Sequence, residues 1–136
     1  MAQRPDRSSE IERHAAKLEK DPQSRIFAQL ADAYRKEGLL DEAIRICRDG
    51  LAAHPTYVSG RVVLGRALLE QGALEEAEAE FRRVLELAPD NLLALRTLGE
   101  IQQRRRADAG GLVLAALEGW LARIVADRAV RAAGGM

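Results

Sequence analysis

Apolar residues recur along this chain at helical spacing, and nowhere do they alternate as they would in a half-buried strand. Ile11, Ala15 and Leu18 mark one face of a first helix over 9–21, and residues 1–8, polar and carrying Pro5, read as disordered. Ser9 followed three residues later by Glu12 has the reciprocal pattern of a capping box. Further helices are predicted over 24–37, 41–53, 57–71 and 74–87, with Thr56 a candidate N-cap of the third of these. Asp90 or Asn91 caps the next, which carries Leu92, Leu95, Leu98 and Ile101 and runs into Arg104 to Arg106. Gly38 and Gly72 fall just past apolar-periodic segments, where a left-handed residue ends a helix at little steric cost. Pro55 and Pro89 stop the helices that precede them.

The same pattern returns after 34 residues. Leu30, Ala31, Gly38, Ala43, Cys47, Leu51 and Pro55 fall on Leu64, Gly65, Gly72, Ala77, Phe81, Leu85 and Pro89, and a third register begins with Leu98 and Gly99. A fixed period of this length signals an array of helix pairs, each of which needs a neighbour to bury its apolar face. Ala31, Gly65 and Gly99 are small where two antiparallel helices of one unit must approach closely, and Ala43 and Ala77 serve the same end on each second helix.

This spacing resembles the tetratricopeptide repeat. The first unit, 24–57, reads Phe27, Leu30-Ala31, Tyr34, Gly38, Ala43, Cys47, Pro55. The second, 58–91, reads Arg61, Leu64-Gly65, Leu68, Gly72, Ala77, Phe81, Pro89, departing from a large apolar residue at Arg61. A partial third unit spans 92–109, after which the signature decays. The resemblance implies an all-α, right-handed α-solenoid of antiparallel helix pairs, a single domain over 9–132 with capping helices at both ends. Residues 9–21 form the N-terminal cap. Residues 112–132, set off by Gly110-Gly111, would replace the missing second helix of the third unit, packing Val113, Leu117 and Ile124 against Leu95, Leu98 and Ile101.

The resemblance also implies a concave groove lined by the first helix of each unit. From the first unit it would draw Arg25, Ala28, Gln29, Asp32, Arg35 and Lys36. The second would add Ser59, Val62, Val63, Arg66, Leu69 and Glu70, and the third Leu93, Arg96, Thr97, Glu100, Gln103 and Arg104. Basic residues outnumber acidic ones six to three on this surface, which favours a partner carrying carboxylates. Asp32 with Lys36, Arg66 with Glu70 and Arg96 with Glu100 are also spaced to pair along their own helices, a local stabilisation of about 0.2–0.5 kcal/mol that needs no ligand. One subgroup of the family grips the terminal carboxylate of chaperone tails with Lys, Asn and Arg. Those places here carry Ala28, Asp32, Val63, Leu93 and Thr97, so the clamp is absent.

Composition narrows the function further. In 136 residues, 21 basic side chains balance 21 acidic ones and only 4% are aromatic, which argues against nucleic acid as a partner. One cysteine excludes an internal disulfide. No stretch reaches the roughly 20 uninterrupted apolar residues of a membrane span, and the polar start of the chain lacks the apolar run of a signal peptide, so a cytoplasmic location and no membrane partner are expected. His14 and His54 stand without zinc-ligand spacing, and Cys47 aligns with the packing position Phe81. No catalytic, metal or cofactor site is expected.

The sequence therefore reads as a non-enzymatic adaptor that binds a peptide or helix of a partner protein, which its basic excess suggests is acidic, in the groove. The alternative is a structural oligomerisation module using the C-terminal helix, whose apolar arc is wider than the roughly 100° stripe that packing one face requires. Trp120, Leu121 and Val125 are the candidate self-association residues, and the expected state is monomer or weak homodimer.

Overall fold

The structure, a computed structural model, describes residues 7–134 and is helical throughout, with no strand among the described residues. Six helices follow in order: α1 (Arg7–Lys20), α2 (Phe27–Lys36), α3 (Leu40–Ala53), α4 (Val58–Gln71), α5 (Leu74–Leu87) and α6 (Leu92–Gly134). The chain divides into two compact units, Met1–Leu98 and Gly99–Met136.

In the first unit, α2 packs on α3 and α4 on α5 as two successive pairs, α3 and α2 both meet α4, and α1 lies against α2. The turns inside the pairs form as the glycines require. Gly38 and Gly72 take φ of 82° and 90°, and the amides of Leu39 and Ala73 bond back to the carbonyls of Tyr34 and Leu68. The core alternates large and small side chains: Phe27, Phe81, Val84 and Cys47 are fully enclosed, beside Ala31, Ala43, Ala67 and Ala77. Burial of each large side chain contributes about 1.5–3 kcal/mol. The expected close approach at Gly65 is present, since a Cβ there would stand 2.8 Å from Phe81 Cε2.

Helix α2 begins at Phe27, not at 24, and N-capping departs from expectation in two places. Helix α1 begins at Arg7, so Ser9 lies inside its first turn and is no N-cap, while the expected disorder of 1–8 falls largely on residues outside those described. Tyr57, not Thr56, precedes α4, and it makes no side-chain cap hydrogen bond. Asn91 does cap α6, its Oδ1 accepting from the amide of Ala94 at 2.9 Å. Arg61, the departure from the large apolar type, fills its place with a donor: Nε bonds the Pro55 carbonyl at 2.8 Å and Nη1 pairs with Glu80 at 3.0 Å.

The C-terminal end corrects the sequence reading. Gly110-Gly111 does not break the helix; α6, 43 residues long in all, continues through it. Residues 112–132 are therefore no separate helix folded back as the second half of a third unit. Gly99 has nothing within 4 Å of a Cβ built on it, so it seats no close partner helix. In the second unit Ile101 is buried, whereas Leu114, Leu117, Trp120, Leu121 and Val125 are exposed and Ile124 is half-buried. Val113 lies outside the described side chains. The physical reason is that glycine lowers helix propensity by only about 1 kcal/mol relative to alanine, which the helix formers on either side outweigh. By length and composition α6 is also apolar enough to cross a membrane, a property hidden from a search for uninterrupted runs because Glu118 and Arg123 interrupt it.

Candidate functional site

Helix α4 is apolar on more than one face. Leu64, Ala67 and Leu68 are buried in the core, while Val62 and Val63, on another side, remain partly open. Aliphatic side chains outside the core stripe of a helix are candidates for covering by a partner. On the open side lies a groove of about 370 Å³, whose floor and walls come from Ala28, Gln29 and Asp32 of α2, Tyr57, Val58, Ser59, Val62, Val63 and Arg66 at and along α4, and Asn91 and Leu93 where α6 begins. Ser59, Val62, Val63 and Arg66 share a face because positions three, four and seven apart stack on a helix.

Of the residues expected from the sequence, Gln29, Asp32, Ser59, Val62, Val63, Arg66 and Leu93 line this groove, with Ala28. The others do not. Arg25 lies over the ring of Tyr57, 5.4 Å from its centroid, at the groove's edge. Arg35 is withdrawn into an ion-pair network, its side chain only 9% exposed, with Asp32 at 2.9 Å and Glu70 of the next helix pair at 2.5 Å. Lys36 is exposed and turned onto Asp32 at 3.4 Å. Glu70 is occupied by Arg35, so the pairing expected with Arg66 does not form. Leu69 is half-buried, Thr97 is buried, and Arg96 is exposed. Glu100, Gln103 and Arg104 belong to the second unit, where they are exposed.

The electrostatics follow from these pairings. Burial alone would push the Asp32 carboxyl up, but the hydrogen bonds and charges of Arg35 and Lys36 outweigh it and hold it below the usual carboxylate range. Burial likewise disfavours the Arg35 guanidinium, and Asp32 and Glu70 more than restore it. Asp32 is thus neutralised within the protein. Arg66 is exposed and has no ion pair or hydrogen bond among the described residues. The groove is mixed, with an aliphatic floor of Val62, Val63 and Leu93 between polar walls, and among the described residues lining it Arg66 is the one unspent cation.

Tyr57, Val58 and Asn91 were missed by sequence reasoning. The signal was present, because Tyr57 and Asn91 are 34 residues apart and hold equivalent places before successive first helices. Among the described residues no group of three metal-binding side chains converges.

Comparison with known proteins places this geometry. The tetratricopeptide repeat family model matches residues 34–101, half of the chain. No curated protein matches it. Among solved structures, the first TPR of Spaghetti (RPAP3), bound to the HSP90 peptide SRMEEVD, is 27% identical with a TM-score of 0.72, covering 74% of this chain and 80% of that one. The second TPR domain of human RPAP3, in complex with the HSP70 peptide SGPTIEEVD, is 28% identical with a TM-score of 0.67 over 71% and 81% of the two chains. MamA, at 21% identity, shares the fold alone, with a TM-score of 0.68 over 74% of this chain and 59% of its own. The period, the helix pairs and these likenesses agree: the chain belongs to the tetratricopeptide repeat family.

Proposed function

We propose that this chain is a non-enzymatic protein-interaction module whose groove between α2, α4 and the start of α6 holds a segment of a partner protein. The observation that carries the reading is Arg66, an exposed and unpaired cation beside the uncovered apolar floor of Val62, Val63 and Leu93. A peptide with apolar side chains and a carboxylate satisfies both features at once. Family membership supports the class, as does the binding of short acidic peptides by the two RPAP3 domains.

The basic surface is narrower than the sequence implied. Arg35 is spent on Asp32 and Glu70, which leaves Arg66, with Arg25 at the edge, to meet an acidic partner. Panning a random peptide display library against the immobilised chain tests the reading. Enriched peptides should combine apolar residues with an acidic one, and should be lost when Val63→Glu or Arg66→Glu replaces the wild type. Enrichment indifferent to both substitutions, or no enrichment, would sink the groove as a binding site.

A further inference from the structure

We propose that the segment taken up by the groove is the exposed C-terminal face of α6 from a second copy of this chain, a deepening that rests on the groove reading above. Two surfaces of one chain stand unsatisfied, and each has what the other lacks. On α6, Leu114, Leu117, Leu121 and Val125 are exposed by about half or more. At 3.6 residues per turn they fall within an arc of about 80°, and Glu118 follows about 20° beyond its edge. This face is a stripe of aliphatic side chains with one carboxylate on its rim.

Glu118 has no ion pair or hydrogen bond among the described residues, and its own helix offers no remedy. Positions three and four away are Ala115, Leu114, Leu121 and Ala122, and Arg123 points to the far side. Arg66 is in the mirror situation: its neighbours at that spacing are Val62, Val63, Leu69 and Glu70, the last already held by Arg35. A groove with an aliphatic floor of Val62, Val63 and Leu93 and one spare cation, and an aliphatic helix face with one spare carboxylate, form a complementary pair of the helix-in-groove kind. Pairing α6 with another α6 would cover the stripe and leave Arg66 and the groove as they are. Such a contact joins different surfaces of two copies, so it either closes by reciprocal exchange or grows as an open chain.

Charge reversal tests this in the full-length protein. Sedimentation velocity from low to high micromolar concentration should show association of the wild type. Arg66→Glu and Glu118→Arg should each weaken it by about tenfold or more, and the two together should recover most of the loss. Both positions are exposed, and thermal melting checks that each variant is folded. A wild type that is monomeric throughout, or association unmoved by either reversal, or a double variant no better than the singles, overturns the proposal. So does a monomer that instead floats with phosphatidylglycerol vesicles, which would assign the stripe to lipid. If peptides from the display experiment bind a monomeric chain and need Arg66, the groove reading stands and self-docking alone falls. If no such peptide binds either, both fall.

Discussion

The ring of Phe27, on α2, lies so tightly over Gly50, on α3, that a single methyl group on Gly50 would overlap the ring carbons. Gly60 of α4 meets the tip of the ring, where a Cβ would stand 2.7 Å from Phe27 Cζ. The 34-residue period shows how this seat is matched to its occupant. One period on, Arg61 replaces Phe27, and Val84 and Ala94 replace the two glycines. We expect Gly50→Ala to destabilise the protein by about 1–3 kcal/mol through overpacking, and Phe27→Ala by about 3–5 kcal/mol through the cavity it leaves. Combining Gly50→Ala with Phe27→Leu should cost less than the sum of the two. Urea unfolding followed by circular dichroism measures all three, and an unchanged midpoint for Gly50→Ala would contradict the packing.

The network joining Asp32, Arg35 and Glu70 ties the first helix pair to the second and should respond to acid. Because the folded-state pKa of Asp32 is lowered from 3.8, its contribution is fully present above that value and is lost as pH falls through the folded value. The gap in stability between wild type and Asp32→Asn should therefore be constant near neutrality and shrink below about pH 4. A gap that widens on acidification, read from urea midpoints at several pH values, would reverse the sign of the argument.

The chaperone peptide SRMEEVD, bound by the first TPR of Spaghetti, should bind this chain no better than its C-terminally amidated form. Ala28, Val63 and Leu93 offer a terminal carboxylate no charged donor, and the one acid among the clamp positions, Asp32, is already paired. Fluorescence anisotropy with labelled peptides decides the point. Clear preference for the free carboxylate would mean that a terminal clamp is built from other residues.

Cys47 should be unreactive in the folded protein. It is fully enclosed, and burial, with added repulsion from Asp32 and Glu80, pushes its thiol up to about 12. Ellman's reagent at pH 8 should label it only as fast as the protein opens, with full labelling in urea. Rapid labelling without denaturant would show that the core around α3 and α5 is open.

Much of this protein is determined locally and could be read in order along the chain. Gly38 and Gly72, Pro55 and Pro89, and the return of Leu30-Ala31 as Leu64-Gly65 set the helices and their period, since each acts within one turn of its own position. The family resemblance that this period carries then pointed to Val62, Val63 and Arg66 as part of one groove face. Tertiary structure decided what neighbours across the fold do. It gave Arg35 to Glu70 rather than leaving Glu70 to Arg66, because a partner 35 residues away was better placed than one on the same helix. It also decided that Phe81 lies over Gly65, where the positions 34 residues earlier hold the smaller Cys47 and the larger Ala31. At Gly110-Gly111 the local stop signal was overridden altogether: glycine makes a helix easier to end, but a chain turns back only when packing against another surface offsets the hydrogen bonds it gives up, and α6 runs on.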